Sequence, residues 1–255
     1  ANNSRGALSR IQTVLHSQPE NVKALQLGAK ALEALDRPLE ALSALEKAIQ
    51  ISGEDFNLCQ QRIDLLRQAK GSEAALQALQ ELVECYPQRL EFQAMLAEAL
   101  FANNQFELGM DVAQAVLRAS PDILPAAQRS FLHYQVGRQM RRSGQLDQAV
   151  AQLTAAVQHD PGLLDAWLEL GRVYQEQRAH NLALKTYLQA VDLAPQDYRS
   201  YYQAGVALKE AKDYLKAEEM LCQAVQLAPD EVSIRRMLAA VRTLILVHNS
   251  RTTTG

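Results

Sequence analysis

Small and apolar residues recur along the chain with a period of 34 residues. One column of small side chains occupies Ala7, Ala41, Ala75 and Gly109 and, after a shift of six residues, Ala149, Ala183 and Ala217. Mostly apolar residues follow each member of this column at distances of four and seven residues. These spacings place all three columns on one face of a helix. The pattern therefore predicts one amphipathic helix per period, packed closely against a neighbouring helix.

Prolines keep the same period, at Pro87 and Pro121 and again at Pro161, Pro195 and Pro229. The step from Pro121 to Pro161 is 40 residues rather than 34, so six residues, 124–129, are inserted between two regular units. We expect this insertion either to lengthen the helix that follows it or to open a seam between two blocks of three units.

The 34-residue frame predicts a single domain made of helix pairs. It gives a second helix alone at 4–21, full units at 22–55, 56–89, 90–123, 130–163, 164–197 and 198–231, a capping helix at 232–248 and a tail at 249–255. Solenoid arrays need such caps because a terminal unit leaves one apolar face uncovered. The lone first helix and the apolar run at 244–247 leave self-association through the terminal helices open.

One unit carries a complete family signature. It reads Trp167-x2-Leu170-Gly171-x2-Tyr174, then Ala183-x3-Tyr187 and finally Pro195. This resembles the tetratricopeptide repeat (TPR) in every signature position. The resemblance implies an all-α fold, a right-handed α–α superhelix of about 14 antiparallel helices, and a protein-binding function without catalysis.

Composition narrows the classes of partner. The formal net charge of −3 gives no general attraction to nucleic acid or to an anionic membrane, and no apolar run reaches the ~18 residues that a membrane span needs. The three cysteines, Cys59, Cys85 and Cys222, lack the paired short spacing of a metal or redox motif. We expect a cytoplasmic protein, although the polar start leaves a removed targeting segment open.

No pattern in the chain indicates catalysis. The five histidines show no metal-ligand spacing, and there is no glycine-rich phosphate loop and no G-x-S-x-G sequence. His133 stands at the place that Trp167 and Tyr201 hold in the following units, so we interpret it as a packing residue. The sequence therefore predicts no catalytic residue, no metal and no cofactor.

The TPR resemblance also implies where a partner binds. In this family the second, fifth, ninth and twelfth places of each first helix line a concave groove. In the later units, with the flanking Arg142, these places give a basic candidate site with aromatic residues: Phe131, Tyr134, Arg138, Arg141, Arg142, Arg172, Arg199, Tyr202 and Lys209. The alternative is a solvated face whose arginines pair with nearby acids such as Asp165 and Glu169.

We therefore predict a scaffold or adaptor that binds a peptide or helical segment of a partner protein, acidic or amphipathic in character. Arginine suits such partners because its planar fork donates two parallel hydrogen bonds to a carboxylate. The alternative is a substrate-recognition or regulatory arm of a larger enzyme whose catalytic domain lies outside these residues.

Overall fold

The structure is a computed structural model that describes residues 2–53, 55–119 and 123–252. Within these ranges the chain forms fourteen α-helices. It divides into two compact units, the first ending at Leu124 and the second beginning at Pro125.

The first unit contains seven helices. They are α1 (Asn2–Ser17), α2 (Val22–Glu33), α3 (Pro38–Ser52), α4 (Phe56–Lys70), α5 (Ser72–Cys85), α6 (Leu90–Ala102) and α7 (Phe106–Ala119). Their starts follow local sequence: Asn21 and Asp55 accept hydrogen bonds from the first-turn amides of α2 and α4, and Pro38 begins α3. Ala7 of α1 is exposed, whereas its counterpart Ala41 in α3 is fully buried.

The second unit also contains seven helices. They are α8 (Ala126–Arg142), α9 (Leu146–His159), α10 (Leu164–Glu176), α11 (His180–Leu193), α12 (Tyr198–Glu210), α13 (Tyr214–Leu227) and α14 (Val232–Thr252). Helix α8 begins four residues ahead of the unit expected at 130, so residues 126–129 of the insertion lengthen it. Helix α14 passes the expected end at residue 248 and takes in part of the predicted tail, because no proline or glycine interrupts it before Gly255.

In the second unit, close contact between the two helices of a repeat depends on a glycine in the first helix. A Cβ atom on Gly171 of α10 would overlap the ring of Tyr187 on α11, and one on Gly205 of α12 would come within 2.7 Å of Leu221 on α13. Tyr187 and Leu221 are completely buried. The glycine therefore allows a large side chain of the second helix to lie against the backbone of the first.

The turn between the two helices of a repeat also recurs. Its backbone enters the left-handed region at Asp36, Asn104, Gly144, Arg178 and Lys212. At Arg178 the amide donates to the carbonyl of Gln175, and the next amide donates to the carbonyl of Tyr174. This is the hydrogen-bonding pattern of a Schellman motif, which glycine adopts more easily than other residues. Only one of these five turns has glycine there.

Candidate functional site

The first helices of successive repeats, α8, α10 and α12, bring the predicted basic residues together in the second unit. A cavity of about 250 Å³ lies against them. Its lining consists of five arginines, two carboxylates, a tyrosine and a leucine: Arg138, Arg141, Arg142, Arg172, Arg199, Asp165, Glu169, Tyr134 and Leu168.

Glu169 is the buried acid of this cavity, with a side chain only 4% exposed. Its Oε1 accepts a hydrogen bond from Nε of Arg141 at 2.6 Å, and its Oε2 accepts one from Nη1 of Arg172 at 3.0 Å. A buried carboxylate is costly unless its oxygens are paired. Two guanidinium groups meet that requirement, and the acid in turn holds both of them in place.

Arg141 is fixed by two acids. Besides its bond to Glu169, its Nη1 donates to Oε1 of Glu176 at 2.6 Å. Burial alone would lower the pKa of Arg141, but the hydrogen bonds and charges of Glu169 and Glu176 outweigh it and raise the pKa. This guanidinium joins α8 to α10 and has a structural role.

Arg199 at the start of α12 is likewise satisfied within the protein. Its Nε and Nη2 donate to the carboxylate of Asp197, the residue that caps α12, and its Nη1 donates to Asp165 at 2.9 Å. The hydrogen bonds that Arg199 donates to Asp197 outweigh the effect of burial and raise the pKa of Arg199. Arg141 and Arg199 therefore pair with nearby acids of the protein, as in the alternative stated for the sequence.

Arg138 and Arg172 are arranged differently. Nη1 of Arg138 donates to the hydroxyl of Tyr134 at 3.3 Å, and its guanidinium carbon lies 5.5 Å from the centroid of that ring. Arg172 uses only its Nη1, which donates to Glu169. Among the described residues, no group accepts from Nε or Nη2 of either arginine. These two nitrogens form the edge that binds carboxylate or phosphate through two parallel hydrogen bonds.

Three residues of the predicted site lie outside the cavity lining. Phe131 packs beside Tyr134, with ring centroids 6.5 Å apart. Tyr202 packs against the apolar cluster formed by α12, α13 and α14. Nζ of Lys209 lies 3.7 Å from the sulfur of Met237 on α14. Of the six predicted residues that line the cavity, four therefore lie on α8, one on α10 and one on α12.

The sequence pattern underestimated how many hydrogen bonds the arginines donate to acids of the protein. The sequence predicts that Asp165 and Glu169 neutralise some of the arginine charge. It does not predict that Glu169 is buried between two guanidinium groups. A signal was present, because the equivalent places in the neighbouring units hold Gln135 and Gln203 rather than apolar residues. A polar column on a packed helix face indicates side chains that hydrogen-bond inside the fold.

His133 packs as an aromatic residue near the start of the site. Its Nδ1 is 2.7 Å from Oε1 of Gln152, and its ring stacks on His159 with centroids 5.4 Å apart. Burial lowers the pKa of His133, the hydrogen bond to Gln152 partly offsets this, and the charges of His159 and Arg129 lower it further.

In the part of the chain that the structure describes, no group of three or more His, Cys, Asp and Glu side chains could hold a metal ion. Among the described helices, none combines the length and the apolar character needed to cross a bilayer.

Three family models described as tetratricopeptide repeat match the chain, at residues 61–122, 140–208 and 198–231. Together they cover more than half of it. With the helix pairs, the 34-residue period and the signature around Trp167, these matches show that the chain belongs to the tetratricopeptide-repeat family.

Relatives and solved structures agree with that assignment. The chain is 31% identical over 121 residues to Tetratricopeptide repeat protein 37 of Xenopus laevis, a match that covers 46% of this chain and 8% of the relative. It is 28% identical over 108 residues to Superkiller complex protein 3 of Homo sapiens, covering 42% and 7%. The matches thus span less than a tenth of these curated relatives.

Among solved structures, the fold is similar to that of YrrB, described as a TPR protein with an unusual peptide-binding site. The TM-score is 0.62 at 21% identity, covering 76% of this chain and 97% of YrrB. At this identity the similarity concerns the fold.

Proposed function

We propose that this chain is a protein-interaction scaffold whose second unit binds an acidic segment of a partner protein. The repeat fold supports the general role, because stacked helix pairs present extended surfaces to other proteins. The location is supported by the cavity formed by α8, α10 and α12, where arginines from three consecutive repeats lie together.

The proposal depends mainly on one observation, the unused Nε and Nη2 edges of Arg138 and Arg172. Arg141 and Arg199 already donate hydrogen bonds to acids of the protein. Arg138 and Arg172 each keep a two-donor edge at the same cavity. A carboxylate of the partner fits such an edge through two parallel hydrogen bonds, which are stronger than bonds between neutral groups.

The cavity favours an extended acidic segment over an amphipathic helix. Leu168 is the only aliphatic side chain among its lining residues, so an apolar helix face would find little surface to bury. A space of about 250 Å³ is suited to side chains, whereas a helix is about 10–12 Å across.

Binding of degenerate extended peptides tests this function. Fluorescence anisotropy would compare a peptide library rich in Asp and Glu with the same library carrying Asn and Gln. We expect the acidic library to bind, and the double variant Arg138→Gln/Arg172→Gln to weaken binding at least about tenfold because charge-assisted hydrogen bonds are lost.

The matched control is Arg235→Gln/Arg236→Gln. These two arginines are exposed on α14 and do not line the cavity, so the control makes the same change in net charge. Circular dichroism would check that both variants remain helical. Equal loss of affinity in the two double variants would mean that net charge alone is responsible, and the proposed site would be wrong.

A second candidate is that this chain is the recognition arm of a longer protein with its own activity. The small share of the curated relatives that it matches favours this alternative. An antibody raised against the chain would test it on extracts of the source cells. A detected protein no longer than 255 residues would contradict it.

A further inference from the structure

The cavity on α8 and α10 is lined by more guanidinium groups than carboxylates. Five arginines face two lining acids, Asp165 and Glu169, while Glu176 behind Arg141 and Asp197 beside Arg199 supply two further negative charges. The arginines therefore outnumber these acids by one. A phosphate monoester carries about −1.5 to −2 charges at pH 7, whereas an Asp or Glu side chain carries one.

The free donors of Arg138 and Arg172 exceed what one carboxylate accepts. Arg138 and Arg172 each offer Nε–H and Nη2–H, which makes four donors on two edges of one cavity. A carboxylate has two oxygens and can fill one such edge. A phosphoryl group has three terminal oxygens, so it can accept from both edges at the same time.

The other lining residues hold these two edges in position. Tyr134 lies under the guanidinium of Arg138, and Glu169 accepts from Nη1 of Arg172. Both contacts leave the opposite edge of the guanidinium open. Such pre-ordered donors bind an anion with less loss of side-chain freedom than solvated arginines would.

From these features we infer that the cavity recognises a phosphorylated side chain of the partner, held between Arg138 and Arg172. The inference rests on the proposed function and names the chemistry of the segment that is bound. A phosphorylated protein fits better than the phosphate headgroups of a membrane, because the chain has a formal net charge of −3 and so no general attraction to an anionic surface.

Three peptide libraries that differ only at the central residue test the inference. The centre is phosphoserine, glutamate or serine, and the degenerate flanks are the same. At pH 7.5 we expect the phosphoserine library to bind at least about tenfold more tightly than the glutamate library, because the dianion reaches both guanidinium edges. Arg138→Gln and Arg172→Gln should each remove most of this difference, whereas Arg235→Gln/Arg236→Gln should leave it intact.

The pH dependence of peptide binding gives a second measurement. The second pKa of a phosphate monoester is about 6, while the pKa of the glutamate side chain is about 4.3. Lowering the pH from 7.5 to 5.5 should therefore reduce the advantage of phosphoserine several-fold. Inorganic phosphate should shift the Nε–H resonances of Arg138 and Arg172 in NMR spectra before those of Arg235 and Arg236.

The outcomes separate the inference from the function on which it rests. If the glutamate library binds through Arg138 and Arg172 but phosphoserine binds no better, the phosphate inference is wrong and the acidic scaffold stands. If none of the libraries depends on these arginines, both are wrong. Binding to vesicles that contain a phosphoinositide, with no preference for the phosphoserine library, would also overturn the inference.

Discussion

Arg141 and Glu169 belong to consecutive repeats, and their side chains meet with 2.6 Å between Nε and Oε1. The arginine lies in the last turn of α8 and the glutamate in the middle of α10. Because the acid is almost fully buried, this pair joins two first helices from inside the fold rather than on the surface. Two nitrogens of Arg141, which the sequence predicts in the partner-binding groove, are thus paired with acids of the protein itself.

Loss of the buried charge should destabilise the second unit. We expect Glu169→Gln to lower the free energy of unfolding by about 2 kcal/mol, because Arg141 and Arg172 would lose their shared carboxylate. Glu176→Gln removes a more exposed partner of Arg141 and should cost less than about 1 kcal/mol. Urea denaturation measures both values, and equal costs would contradict a special role for the buried acid.

The glycine of α10 should tolerate no side chain. In Gly171→Ala the new methyl group would overlap the ring of Tyr187, whose hydroxyl is held by Gln175 at 2.5 Å. Overpacking of this kind should lower the midpoint of thermal unfolding, at a cost of about 2 kcal/mol. Gly6→Ala in α1 meets no atom within 4 Å and should be neutral or stabilising. Similar effects of the two substitutions would show that the close contact is not rigid.

The left-handed turns should respond in opposite directions in neighbouring repeats. Arg178 has φ of 60° and Gly144, at the same place one repeat earlier, has φ of 78°. We expect Arg178→Gly to stabilise the protein by about 1 kcal/mol and Gly144→Ala to destabilise it by about the same amount. Chemical denaturation of each variant gives the sign, and a loss of stability in Arg178→Gly would mean that contacts of the arginine outweigh its backbone strain.

The stability of the second unit should fall on acidification through His133. Its pKa is lowered in the folded protein, first by burial and then by His159 and Arg129, with Gln152 acting in the other direction. The unfolded chain therefore binds the proton more readily, so stability is full above the ordinary pKa of about 6.5 and is lost as the pH falls through the folded value.

His133→Tyr should flatten this dependence between pH 7.5 and pH 5, since tyrosine stands at the equivalent place in the unit at 198–231. The measurement is the urea midpoint as a function of pH. His16→Tyr, at an exposed position in the first unit, is the control and should leave the curve as it is. An unchanged slope in His133→Tyr would assign the acid sensitivity to other groups.

Much of the fold could be predicted because the repeat depends on the spacing of residues that are close in the sequence. The small residues at Ala149, Ala183 and Ala217 are completely buried, as expected for a column that lies against another helix. The predicted number of about 14 helices agrees with the fourteen in the described residues. The helix lengths at the insertion and at the end of α14 differ from the prediction, since helix ends depend on capping and packing as well as on sequence pattern.

The candidate site could be predicted only in part. The repeat frame selected residues that share a face, and six of the nine line one cavity: Tyr134, Arg138, Arg141, Arg142, Arg172 and Arg199. It did not distinguish the arginines from each other. Partners such as Glu169 and Glu176 lie 28 and 35 residues from Arg141, on a helix of the next repeat.

The amino-acid sequence is sufficient to predict the helix pairs, the 34-residue period and the family, because each depends on local spacing that repeats many times. The three-dimensional structure is needed to know which guanidinium edges are used inside the protein and which remain open to a ligand. Arg138 and Arg141 are three residues apart on α8, yet one faces Tyr134 and the other two acids of α10. That difference arises from side chains contributed by a neighbouring repeat, and linear spacing carries no information about their rotamers.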